Sequence, residues 1–416
     1  MRKTVLLIVS LLNTIFIFSQ NKRVLFLGNS YTQVNDLPQL LVNIGQSTND
    51  VFIVDSNTPG GHTLQQHNSN STSIAKINQG NWDFVVLQEQ SQLPSFPINQ
   101  VNTQVFPFAQ SLNNLIVSQN PCAETVFYMT WGRQNGDSQN CGFFPPLCTY
   151  EGMDDLLRER YMTMTIDNNA ITSPVGAVWR YIRNNNPSLN LYSSDESHPS
   201  IVGSYAAACT FYTTLTRKDP TLITYNASLS VTDADFIKLA VKNIVYEHLF
   251  DWKIGSYDSV SDFSYTNISS SEISFNNNSL NANEFEWNFG DGTTSNEQNP
   301  VHNFLNEGEF TVTLTATKCG NTSSFQQIIV ISNLNNQDYK GINLEFFPNP
   351  VNEKLTIISN DIVDQISIYE INGRLIESID NKNNATTIDF SNKKEGFYLI
   401  KIQSKGEIYT KKIIKN

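Results

Sequence analysis

Ser30, Asp195 and His198 are the residues whose types and spacing could together break an ester bond. Ser30 stands in RVLFLGNSYT, residues 23–32, where an apolar run ends in Gly28. A serine hydroxyl is a poor nucleophile until an adjacent base takes its proton. The base should be a histidine, and the chain offers five: His62, His67, His198, His248 and His302. His198 lies in SSDESHPS, three residues after Asp195. A carboxylate at that spacing reaches the imidazole when the backbone turns, fixing its tautomer and stabilising the imidazolium. Alone, Asp-x-x-His is equally a capped turn with a surface histidine; it gains meaning from the Gly-x-Ser that ends an early strand. The Gly-x-Ser-x-Gly elbow of another hydrolase fold is absent, since Thr32 stands where its last glycine would be.

These three side chains must be brought together by a sheet. Over residues 21–253, short apolar runs alternate with helical patterns. The expected strands are Val24–Gly28, Val51–Asp55, Phe84–Gln88, Thr125–Thr130 and Leu191–Ser193, each a buried parallel type. Helical spacing marks Leu37–Gln46, Val101–Val117, Asp154–Asn184, Ser204–Thr216 and Thr232–Leu249. This alternation predicts a three-layer α/β/α domain with a parallel sheet. Active sites of such open sheets form beyond the C-terminal strand ends, where Ser30 falls.

The chain has 416 residues, enough for two to three domains. Residues 1–20 read as a signal peptide: Arg2 and Lys3 precede an apolar stretch, and no other run is long enough to span a bilayer. A net charge of −12 argues against a nucleic-acid partner. Of the five cysteines, Cys122, Cys141 and Cys148 share a loop-rich region, with Cys141–Cys148 the expected bridge. Cys209 reads as a buried thiol in a helix, Cys319 lies in a later domain, and no CxxC spacing indicates zinc. His62 and His67 fit pocket lining or surface better than a metal pair. Glu89 fits a structural carboxylate better than a general acid. Trp131 and Arg133, after the fourth strand, are candidates for a sugar-binding face.

The first domain resembles the SGNH (GDSL-type) hydrolase superfamily in several blocks. FLGNSYT corresponds to its nucleophile block and DESHP to its Asp-x-x-His block, which implies Ser30, His198 and Asp195 as catalytic residues. NTPGGHTLQQH corresponds to the glycine block after strand two; the oxyanion glycine maps to Gly61, with Gly60 the alternative. Asn29 stands where the family has aspartate. The third block, VVLQEQSQLPS, lacks the family's glycine and asparagine, and the asparagine's place falls on Gln92, or else Gln90. Acyl transfer needs preorganised N–H donors for the developing oxyanion, and the resemblance implies the Ser30 and Gly61 amides with Gln92 or Gln90.

Composition then turns rich in Ser, Asn and Asp, with β alternation. EWNFGDGTTSNEQNPVHNFLNEGEFTVTLTAT is similar to polycystic kidney disease (PKD) domains, through Trp287, Phe289, Gly290, Asp291 and Gly292; this places a β-sandwich over 258–333, with Trp287 packed inside. After a polar linker, Ser332–Lys340, residues 341–416 resemble type IX secretion C-terminal sorting domains, through FFPNPVNEKLTI, YEINGRLI and GFYLIKI, with an Asn372-Gly373 hairpin. Two small all-β domains should therefore follow the α/β domain.

The expected protein is a secreted serine esterase of SGNH type, acting on acetyl or other esters of a small molecule or polysaccharide. It needs no cofactor or metal. It is handled by the type IX machinery of a Gram-negative bacterium, keeps no transmembrane segment, ends secreted or surface-attached, and acts as a monomer. The alternative is a non-catalytic surface protein whose degenerate SGNH domain binds glycan.

Overall fold

The computed structural model describes residues 21–332, 343–371, 374–405 and 407–416. The signal-peptide reading, most of the linker and the Asn372-Gly373 turn lie outside the described residues. Among the described residues no helix is long and apolar enough to cross a membrane. The chain divides into two compact units between Glu247 and His248.

The first unit is built on β1 (Lys22–Leu27), β2 (Phe52–Asn57), β3 (Phe84–Leu87), β4 (Glu124–Tyr128) and β5 (Ile171–Ser173). All pair in parallel, in the order β2-β1-β3-β4-β5. Val24 to Leu27 are fully buried, as a central parallel strand covered on both faces must be. The helices are α1 (Ser30–Gln33), α2 (Leu37–Ser47), α3 (Leu64–Ser69), α4 (Ser71–Ile77), α5 (Ile98–Gln104), α6 (Phe106–Gln119), α7 (Tyr150–Asp167), α8 (Val175–Asn185), α9 (Ile201–Thr216) and α10 (Val231–Ile244). They pack in two groups, α2 with α8, α9 and α10, and α3 to α7 together. This strand order reverses direction between β1 and β3, the switch point where such sheets place their sites.

Three expectations are corrected. The helix expected over Asp154–Asn184 is α7, β5 and α8 in succession. Asn169 adopts a left-handed conformation after α7, Ile171 and Thr172 are β-branched, and Pro174 holds the residue before it extended. The strand expected at Leu191–Ser193 is not part of the sheet: Tyr192 makes one isolated bridge to Pro199. The helix expected over Val101–Val117 is divided at Val105, ahead of Pro107, into α5 and α6. Cys141 and Cys148 are bonded, and Cys209 is buried and free.

In the second unit the named strands all pair antiparallel, and Val351 adds one isolated parallel bridge to Lys415. β6 (Phe263–Asn267), β7 (Glu272–Asn277), β8 (Glu284–Asn288), β9 (Thr294–Ser295), β10 (Val301–Asn303), β11 (Gly308–Lys318) and β12 (Asn321–Ile331) form sheets ordered β10-β7-β6 and β12-β11-β8-β9; β13 (Leu344–Phe347), β14 (Lys354–Ser359), β15 (Gln365–Glu370), β16 (Leu375–Asp380), β17 (Ala385–Asp389), β18 (Gly396–Ser404) and β19 (Glu407–Lys415) form β13-β14-β17 and β16-β15-β18-β19. Each pair of sheets encloses its own apolar core. Trp287 is fully buried in the earlier one, with its indole N–H on the Glu297 carbonyl at 2.9 Å. Replacing Trp287 with alanine should destabilise this core by about 3–5 kcal/mol. Chemical denaturation of the full chain monitored by circular dichroism checks this, and a loss below about 1 kcal/mol would contradict the packing.

Candidate active site

β1 ends at Leu27 and the chain turns at once into α1, with Asn29 as its N-cap and Ser30 as its first residue. Gly28 is required by close approach. A Cβ there would lie 2.6 Å from Gln88 Oε1 and 2.7 Å from Thr32 Oγ1. The Asn29 side chain joins three loops. Its Oδ1 accepts from the Tyr31 N–H at 3.1 Å, while its Nδ2 donates to the His62 carbonyl at 3.0 Å and the Glu89 carbonyl at 3.5 Å. An aspartate at this position has no hydrogen to give those carbonyls, which accounts for asparagine in this chain.

The turn carrying Asp195 and His198 is closed by the Ser193 N–H on the His198 carbonyl at 2.8 Å and the Ser200 N–H on the Leu191 carbonyl at 2.9 Å. Glu196 takes the positive-φ position. Asp195 Oδ1 accepts the amides of Ser197 at 3.1 Å and His198 at 2.9 Å. Its Oδ2 faces His198 Nδ1 in a short hydrogen bond. His198 Nε2 stands 2.8 Å from Ser30 Oγ. Hydroxyl, imidazole and carboxylate are thus in one hydrogen-bonded line. Burial raises the Asp195 carboxyl, but the bonds from the His198 ring and from the two amides outweigh it and leave the group below its ordinary value. The line is open to solvent, with His198 and Asp195 side chains 34% and 49% exposed.

Gly61 has positive φ, and a Cβ at Gly60 or Gly61 would meet nothing within 4 Å, so this loop is open at the surface. Among the described residues no acceptor engages the Ser30 or Gly61 N–H. The two glutamines are otherwise occupied. Gln92 Nε2 donates to Asp137 Oδ2 at 2.7 Å, and Gln90 Nε2 donates to Gln92 Oε1 at 3.2 Å. Each NH2 keeps one further hydrogen, but no hydrogen bond links either glutamine to Ser30 or Gly61.

Trp131 is corrected as a sugar-facing residue, because it is fully buried. Its ring stacks on Tyr31 at 4.8 Å and on Trp179 at 3.7 Å, and its indole N–H donates to the Ser197 carbonyl at 3.1 Å. Arg133 is partly exposed and pairs with the buried Asp137 at 3.1 Å. That carboxylate also takes Gln92 and Asn140, which ties Arg133 to the loop.

Tyr31 and Gln88 were not singled out as site residues by spacing. The Tyr31 hydroxyl lies 2.6 Å from Ser197 Oγ, and its ring meets His198 edge-on at 5.3 Å. Adjacency to Ser30 was the only signal for it. Gln88 read as the last residue of a strand; its Oε1 accepts the Asn29 N–H at 2.9 Å and the Thr32 hydroxyl at 3.0 Å. His67 is buried and bonds inward, 5.2 Å from the His62 ring. Among the described residues no group of His, Cys, Asp and Glu could hold a metal. The surroundings of Glu89 fit the structural carboxylate better than the general acid. It is fully buried and accepts the Leu64 N–H at the start of α3 at 3.1 Å.

Residues 263–332 match the family model of the PKD domain, and residues 345–416 match that of the secretion system C-terminal sorting domain. The chain carries both domains. No curated protein matches its sequence. Among solved structures, a DUF4886 family protein from Bacteroides uniformis is 18% identical, covering 56% of this chain and 97% of its own, at a TM-score of 0.49. A candidate SGNH hydrolase from Slackia heliotrinireducens is 26% identical over 47% of this chain and 99% of its own, at 0.39. An acetyl xylan esterase is 14% identical over 46% of this chain and 98% of its own, at 0.35.

Burial, opposed by the Gln90 and Leu64 amides, raises the Glu89 carboxyl from 4.5 to about 8. Above 4.5 the unfolded chain ionises Glu89 while the fold resists it, so folding stability should fall as pH rises from about 4.5 to about 8. Glu89→Gln should flatten that decline. Urea denaturation of both proteins across this interval measures it, and parallel pH profiles would count against the assignment.

Proposed function

We propose that the first unit is a serine esterase in which Ser30, His198 and Asp195 act as nucleophile, base and orienter. The observation that carries this is the 2.8 Å approach of Ser30 Oγ to His198 Nε2, with His198 Nδ1 held on Asp195. Asp195 fixes the proton on Nδ1 and leaves the Nε2 lone pair facing the hydroxyl. As Ser30 Oγ bonds to the ester carbonyl carbon, its proton passes to Nε2. The carbonyl oxygen takes up negative charge and meets the Ser30 and Gly61 amides, neither of which has another acceptor among the described residues. Gln92, or Gln90, is the third donor, through the hydrogen its neighbours leave free. The imidazolium returns its proton to the departing alcohol. Water then adds to the acyl-enzyme, losing a proton to His198, and the acid leaves as Ser30 is reprotonated.

The substrate class we propose is a small acyl ester, acetyl foremost, on a carbohydrate. The half-exposed triad and the open Gly60-Gly61 loop suit a bulky alcohol portion better than an enclosed small molecule. A PKD domain beside a secretion-sorting domain suits a hydrolase delivered outside the cell by the type IX route, to the surface or the medium. Cofactor and metal have no part in this chemistry.

Ser30→Ala should lower p-nitrophenyl acetate turnover by about 10³-fold or more, and a fluorophosphonate probe should label Ser30 in the wild-type chain only. Acetate release from acetylated polysaccharide, compared with longer acyl esters, tests the substrate class. Undiminished turnover in Ser30→Ala would leave glycan binding by a non-catalytic domain as the better reading.

A further inference from the structure

We propose that His67 is a positioning residue for the nucleophile, holding the Gly28–Asn29 peptide from one end while Gln88 holds it from the other. The inference rests on Ser30 being the nucleophile. His67 Nε2 lies 2.8 Å from the Gly28 carbonyl oxygen and Nδ1 lies 2.7 Å from Ser73 Oγ. A carbonyl only accepts, so Nε2 carries the hydrogen and Nδ1 is the acceptor. Ser73 must then donate to Nδ1, which its surroundings allow: its oxygen accepts Asn57 Nδ2 at 2.8 Å, leaving its own hydrogen for the ring.

The result is a directed chain, Asn57 to Ser73 to His67 to the Gly28 carbonyl. It begins at the end of β2 and closes on β1, because the Gly28 N–H donates to the Asn57 carbonyl at 3.2 Å. On the far side of the peptide, the Asn29 N–H donates to Gln88 Oε1 at 2.9 Å. His67 and Gln88 are both fully buried. Burial, opposed by the Gly28 bond and joined by the His62 charge, lowers the His67 ring to about 4, so the neutral tautomer persists through neutral pH. A peptide bonded at carbonyl and amide cannot rotate about its flanking torsions without breaking one bond. Ser30 is the next residue, so the direction of its Oγ and N–H follows from that plane.

Two carboxamides separate this role from mere packing. In His67→Gln the side-chain nitrogen reaches the place of Nε2 and the Gly28 carbonyl. In His67→Asn it falls at the place of Nδ1, facing Ser73, and leaves that carbonyl unpaired. With p-nitrophenyl acetate, the Asn variant should lose about 30- to 100-fold in kcat with KM within about twofold, while the Gln variant stays within about tenfold of wild type. Equal kcat values in the two folded variants would overturn the proposal. Should the Asn variant fail to fold, Gln88→Met, which removes the acceptor at the other end, should show the same kcat loss at constant KM, and an unchanged kcat would overturn it. Ser30→Ala measured in parallel keeps the two readings apart: full activity there defeats the esterase assignment, whereas an inactive Ser30→Ala beside a fully active His67→Asn defeats the positioning role alone.

Discussion

Position 28 has no room for a side chain, and the edge of the first unit that carries Ser30 is arranged around that fact. The end of β3 presses Gln88 to within 2.6 Å of where a Cβ would stand, and the same oxygen takes the next amide in the chain. The strand cannot continue straight, because its neighbour's side chain occupies the path. It leaves as an extended Asn29 followed by a helical turn that begins at Ser30. The 2-1-3-4-5 strand order makes this contact possible, because only at the β1/β3 reversal do two strand ends meet without a crossover helix starting between them. Asn29 extends the constraint to the loop after β2 through the His62 carbonyl. Three loops far apart in sequence thus share one buried polar knot, and a half-satisfied knot of this kind is worse than none.

The parts of the site that are local in sequence could be read from it, and those assembled by the sheet could not. Ser30 follows a strand in an apolar run, and Asp195 with His198 lie within one turn, so residue type and spacing sufficed to nominate them. β1 to β4 were legible as short apolar runs. β5 was not: three residues between two helices leave almost no period to detect, and the flanking helical pattern absorbed them. Leu191 to Ser193 misled in the opposite sense, since an apolar pair beside a turn has strand character without a neighbouring strand to join. Trp131 looked like a surface platform because it follows a strand on the same edge as Ser30. Its partners Tyr31 and Trp179 bury it, and sequence gives no hint of a stack between residues that distant. The hold of Gln88 and His67 on the Gly28 turn is hidden for the same reason, since they stand 60 and 39 positions away from it.

The acid of the line is unusual in being half-exposed, and this decides how it is held. Water weakens the Coulomb attraction between a carboxylate and an imidazolium at such a place, so charge alone would orient His198 poorly. Geometry substitutes for it. Two amides of the same turn fix Asp195 Oδ1, which leaves Oδ2 aimed at the ring. The turn is in turn secured from below at Ser197, whose hydroxyl meets Tyr31 and whose carbonyl takes the Trp131 indole. The buried stack of Tyr31, Trp131 and Trp179 therefore supports the Asp195–His198 turn from the core side. That division of labour leaves the solvent side of Asp195 and His198 uncovered. On the esterase reading, an orienter held by backbone and aromatic packing can stay half-exposed, which leaves room for an ester carried on something larger than its acyl group.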